Sequence, residues 1–183
     1  MSIENIDKLL KKFNSLDSGI RKDITMQAVK KADLLVQKQA RLLTPYNTQN
    51  LRRSIKVKEE IIGSKITGSV FTNLEYAPYV EFGTGPVGQE NHHGISPAMS
   101  PRYSQKGWMI PADAISKDDA ESYHFKPAIK NGQIIGYYTK GQPAIPYLYP
   151  ALKDHEKNAV KLIKKDIAKS IKEICKKWLL SKI

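Results

Sequence analysis

An α+β fold, a small antiparallel β-sheet flanked by two long α-helices, is what the pattern of apolar residues predicts for this chain. Two stretches keep helical spacing over several turns, one over residues 18–43 and one from Ala151 to about Leu180. Between them lie two β-branched runs split by Gly63-Ser64, then a Gly- and Pro-rich stretch without a period of its own.

Taken in order, Ile3, Ile6, Leu9, Leu10 and Phe13 share one face of a first helical segment, which Asn14-Ser-Leu-Asp-Ser-Gly19 interrupts. Asp17 or Ser18 can cap a second, longer helix. Its stripe is Ile20, Ile24, Ala28, Leu35 and Leu42, widened by Val29, Val36 and Ala40. Thr44-Pro45 ends it, because a residue before Pro is pushed out of the α region. Leu51–Ile62 and Lys65–Thr72 then read as two strands of a hairpin, with Ile55, Val57 and Ile62 facing Ile66, Val70 and Phe71 across the turn.

Residues 83–107 hold five glycines (83, 85, 88, 94 and 107) and prolines 86, 97 and 101, and a loop of that length inside a compact domain is functional or disordered. Ile134–Thr139 returns as a strand. Pro143, Pro146 and Pro150 stiffen an extended arm, and Pro150 suits the first turn of the helix that follows. That helix carries Leu152, Ala159, Ile163, Ile167, Ile171, Ile174 and Trp178 on its apolar stripe. At its rise per residue it would run about 45 Å, longer than a small domain needs, so part of it projects or packs on a neighbouring subunit. The expected organisation is a single domain over 1–183: helical 1–43, a sheet and motif region 44–85, an irregular insert 86–140, the Pro-rich arm 141–150 and the C-terminal helix 151–181.

The composition is that of a globular chain, with 40% hydrophobic and 26% charged residues in 183. No apolar run approaches the roughly 20 residues that span a bilayer, so no membrane partner is expected. The first residues have neither a basic leader nor an apolar core, which fits synthesis and retention in a cytoplasm. Cys175 is alone, so an internal disulfide is excluded and a packed thiol is the plain reading. The net charge of +12 admits nucleic acid, an anionic membrane surface or an acidic protein as partner without choosing among them. Ten lysines against four acids crowd the last thirty-one residues, which reads either as a DNA-contacting face or as the solvated side of an amphipathic helix.

Catalytic chemistry is hard to find. His92 and His93 are adjacent on a loop, His124 and His155 stand apart, and none has a Cys or His at ligand spacing. Asp113, Asp118, Asp119 and Glu121 lack the fixed Gly and terminal Glu of a calcium loop. Gly83-Thr84-Gly85 is half of a phosphate loop with no Gly-Lys-Ser/Thr after it. No catalytic residue, metal ligand or cofactor is expected.

Three strings do form a signature. In the first, Thr44–Ile55, the marked positions are Leu51, Arg52 and Ser54. In the second they are Tyr76, Ala77, Tyr79, Glu81, Phe82, Gly83, Thr84 and Gly85. The third contributes Gln142, Pro143, Ala144, Pro146, Tyr147, Leu148, Pro150 and Ala151, followed by a long helix. In this order and spacing the strings resemble the head–tail joining or tail-completion (neck) family of long-tailed bacteriophages, a family of minor tail components. The chain departs from that pattern at Thr48-Gln49-Asn50, where Thr-Gly is usual. It departs again at Ile145, where a polar or basic residue is common, and at Tyr147, which stands for Phe. The insert between Pro86 and Lys140 is long.

The resemblance implies a structural subunit of the virion that assembles with itself into a ring, six-fold to match the tail. Its neighbours would be head connector or adaptor proteins on one side and tail terminator or tail tube proteins on the other, with non-specific contact to DNA in the channel. The marked residues would then be structural and assembly positions. Gly83 and Gly85 would take positive φ; Tyr76, Tyr79 and Phe82 would pack the hairpin against the helices. Glu81 would accept backbone N–H bonds or pair with Arg52 or Arg53. Two other classes stay open on sequence: a basic nucleic-acid-binding protein of phage or prophage origin, and a hydrolase or host-directed effector.

Overall fold

The computed structural model describes residues 11–45 and 49–180, with side chains through residue 176. Residues 11–14 are helical, and the remainder of the helix expected from Ile3 lies outside the described residues, as do Tyr46–Thr48 of the first string. The ordered elements are helices α1 (Ser18–Leu43) and α2 (Gln49–Ser54), strands β1 (Lys56–Ile62) and β2 (Lys65–Phe71), helices α3 (Ala77–Phe82) and α4 (Gly85–Glu90), strand β3 (Trp108–Pro111), helix α5 (Lys117–Ser122), strands β4 (Lys126–Lys130) and β5 (Gln133–Thr139), and helix α6 (Leu148–Leu180). The fold is α+β with antiparallel sheets and long helices at both ends of the order, as the periodicity predicts.

The chain packs as two compact units. One joins the residues up to Asn73 with those from Pro150 onward; the other is Leu74–Tyr149. In the first unit α1 begins where Asp17 accepts the Gly19 N–H at 2.7 Å and ends where both the N–H and the hydroxyl of Thr44 bond the Ala40 carbonyl. Its buried line is Ile24, Ala28, Ala32, Val36 and Ala40, an i, i+4 ridge of small residues that lets the β1–β2 hairpin lie close. Ile20 and Leu42, expected on the stripe, are exposed: Ile20 continues the ridge into the first turn of the helix, beyond its buried part, and Leu42 lies off the ridge. The hairpin turns on Gly63-Ser64, with Ile62 opposite Lys65 and Gly63 at φ 63°.

The strand expected from Leu51 starts only at Lys56. Leu51 and Ile55 are four residues apart, both buried, and Ser54 donates back to the Leu51 carbonyl at 2.7 Å, so the segment closes as a helical turn first. Ser54 Oγ also meets Thr72 Oγ1 at 2.6 Å, which pins that turn to the far end of the hairpin.

Helix α6 starts at Leu148, three residues before the expected Ala151. Its buried line enters through Ala151, while Leu152 is exposed, and continues through Ile171. Lys31 of α1 bonds both oxygens of Asp166 on α6, at 2.7 and 2.8 Å.

The second unit corrects the irregular insert. Its three-stranded sheet has the order β3-β5-β4, antiparallel throughout. Asn131-Gly132 connects β4 to β5 with φ of 52° and 75°, the backbone of a two-residue type I′ turn. That dipeptide is the sequence signal for the hairpin, and only 91–107 remains without regular structure apart from turns.

Candidate functional site

The signature residues of the second string and those of the third up to Leu148 come together inside the second unit. Pro78 stands in the first turn of α3, and the helix stops at Gly83, whose N–H bonds the Tyr79 carbonyl at 3.0 Å. Gly83 has φ 74°, and a Cβ there would sit 2.7 Å from the Ala144 nitrogen and 2.8 Å from the Gln142 carbonyl. Gly85 follows at φ 62°, as expected. The chain can turn this sharply under the arm only without side chains.

Residues 141–149 lie along that turn as an arm. Thr84 and Gln142 exchange backbone bonds in both directions, at 2.9 and 3.2 Å, and the Gln142 side chain donates to the Tyr79 carbonyl at 2.9 Å. Ala144 N–H bonds the Asn91 carbonyl and Ile145 N–H the Val80 carbonyl, each at 2.8 Å. Pro143, Pro146 and Pro150 have no N–H to place. Thus every amide donor between Gly141 and Pro150 has a partner.

The last three of those donors belong to Glu81. Its Oε2 accepts the N–H groups of Tyr147 at 2.8 Å and Leu148 at 3.0 Å, and its Oε1 accepts that of Tyr149 at 3.0 Å. The carboxylate is buried, 5% exposed. Helix α6 has no acid in its own first turn, so Glu81 provides the negative charge that the N-terminal end of a helix favours. Of the two roles the sequence leaves for Glu81, the backbone-bonding one is realised. Arg52 and Arg53 instead line a cleft of the first unit.

Tyr147 is fully buried, and its hydroxyl has no partner among the described residues. Burial, the Glu81 charge and Tyr76 all push that phenol above its ordinary range. The aromatic packing expected of Tyr76, Tyr79 and Phe82 is not what α3 buries. Tyr79 is 58% exposed, and the buried positions are Ala77, Val80 and Glu81. A residue the sequence did not single out, Tyr103, donates to the Phe82 carbonyl at 2.7 Å and stacks on His92 at 5.6 Å, and so ties the glycine-rich loop to the turn. Among the described residues no group of His, Cys, Asp and Glu is placed to hold a metal.

A second buried polar cluster lies in the first unit. Asp33 of α1 points at Gly68 of β2, directly across the hairpin from Glu59. One oxygen of each carboxyl is buried without a hydrogen-bond partner. Burial and then the Glu59 charge raise the Asp33 carboxyl to about 6.

Comparison with known proteins adds one match. Residues 7–83 fit the family model described as "Bacteriophage HK97-gp10, putative tail-component", a span that runs from before α1 through the hairpin to the Gly83 turn. No curated protein and no solved structure matches the chain. Over residues 7–83, less than half of its length, the chain is similar to that family of bacteriophage tail components.

Proposed function

We propose that the protein is a non-catalytic subunit of the head–tail junction, a tail-completion or neck protein that closes as a ring between the head connector and the tail tube. The observation that carries this reading is the apolar surface of the second unit. Two cross-strand pairs of its sheet, Met109 with Tyr138 and Ile129 with Ile134, stand exposed, Ile129 by 64%. Apolar side chains paired across strands and left wet mark an interaction surface. A cyclic assembly from one heterologous interface covers such a surface in every subunit at once. The similarity over residues 7–83 supports the phage context, and the rigid arm beside Gly83 supports a part that holds shape and performs no turnover.

Sedimentation at rising protein concentration, at two salt levels, tests the reading. The wild-type chain should form a closed ring, and Ile129→Glu should leave a folded monomer. A chain that stays monomeric alone and also when mixed with head connectors or tail tubes would refute it.

A further inference from the structure

Two short helical faces of the first unit converge on a cleft that the junction reading leaves unused. Gln37, Lys38 and Arg41 come from α1, and Gln49, Arg52 and Arg53 from α2; the space between them is about 670 Å³. Four of these side chains are cationic, and the lining includes no carboxylate. Gln37 Nε2 and Arg41 Nη2 both donate to the Ile55 carbonyl at 2.8 Å, which occupies that oxygen fully and holds Arg41 in place. Arg41 Nε is buried and has no acceptor among the described residues. Among the described residues Arg53 donates to Gln49, at 3.4 Å. Lys38, Arg52 and Arg53 are exposed around the held Arg41, and like charges gathered in this way repel one another less when an anion sits between them.

We propose that this cleft binds a phosphate group, carried by a nucleic-acid backbone or free in solution. A single carboxylate is served by one guanidinium fork, whereas four cations suit a ligand with more than one negative charge. Planar arginines on two helices can grip adjacent oxygens of a phosphate, and the amides of Gln37 and Gln49 add neutral donors at the rim. The site is independent of the junction reading, since its elements belong to the first unit and the exposed strand pairs to the second.

The test compares the wild-type chain with Arg52→Gln/Arg53→Gln and with Lys157→Gln/Lys161→Gln, which removes the same charge from exposed positions on α6. Circular dichroism establishes that each variant is folded. Anisotropy of a labelled short duplex DNA is measured over a range of salt, and thermal melting is measured in inorganic phosphate against chloride. Binding through a nucleic-acid backbone should weaken about tenfold or more in the arginine variant, with the salt slope falling by about two, and should change far less in the lysine variant. If DNA does not bind but phosphate raises the melting temperature of the wild type and not of the arginine variant, the ligand is a free phosphate. Equal losses in both variants, no response to either probe, or displacement by an acidic peptide where phosphate has no effect would overturn the proposal.

Discussion

Glu81 accepts the backbone N–H of Tyr147 at 2.8 Å although the two residues are 66 positions apart. The same carboxylate takes the next two amides, and Pro150 ends the series by having none to offer. One buried charge therefore satisfies the free donors at the start of a 33-residue helix that carries no acid of its own there.

Glu81→Gln should keep the shape of the turn but leave one amide facing an NH₂ group that cannot accept. The expected loss is about 2 kcal/mol of stability, and Glu81→Ala should cost more, since it strands three donors. Urea denaturation of the two variants checks the order. Equal stability of Glu81→Gln and the wild type would mean that these bonds contribute little.

Two glycines with positive φ should respond unequally to alanine. Gly63 has open space around its absent Cβ, so Gly63→Ala pays only for the backbone conformation, about 1 kcal/mol. Gly83→Ala must also displace the Ala144 and Gln142 backbone, and a loss of roughly 3 kcal/mol is expected. Thermal melting of the pair separates backbone strain from steric exclusion.

Tyr147→Phe removes a hydroxyl that is buried without a partner, so it should be neutral or stabilising by up to about 1 kcal/mol. Tyr147→Ala, which empties a fully buried ring site, should cost about 3–5 kcal/mol. Denaturant midpoints for the two variants decide whether the ring, and not the hydroxyl, is what the fold uses.

Asp33 should make stability fall as pH rises. Burial, and then the Glu59 charge, push its carboxyl up to about 6 from its ordinary 3.8, so the folded state holds the proton more tightly. The resulting stabilisation is complete below 3.8 and is lost as pH climbs to about 6. At pH 8, Asp33→Asn should then be more stable than the wild type by about 1 kcal/mol, the full shift being discounted because the side chain is only half-buried. The difference should vanish below pH 4 in denaturation curves taken across that window. A difference that does not change with pH would remove the titration as its cause.

Much of the framework was legible because its signals are local. The Asp17 cap, the Thr44-Pro45 stop and the i, i+4 ridge of α1 lie within a few residues of the structure they specify. Gly63-Ser64 and Asn131-Gly132 are turn dipeptides of the same kind, the second just before Ile134–Thr139, the one strand expected in the 86–140 insert. Leu51–Ser54 is a helical turn where the residue pattern predicts strand, for a related reason. A short apolar run has no period long enough to separate one helical turn from a strand, and the buried Leu51–Ile55 pair decided it.

By itself, then, the sequence determined the α+β class, both long helices and the β1–β2 hairpin, and it carries strings that resemble a phage tail-component family, because periodicity, caps and turn residues act on their own neighbours. Only the tertiary structure decided that Glu81 serves the Tyr147, Leu148 and Tyr149 amides and that Asp33 meets Gly68 opposite Glu59. It also decided that Arg41, Arg52 and Arg53 share one cleft, and that α6 buries Ala151 and leaves Leu152 wet. Each of these depends on which surfaces approach through the folding of segments beyond their own neighbours, and a buried polar group takes its partner from that approach and not from its place in the sequence.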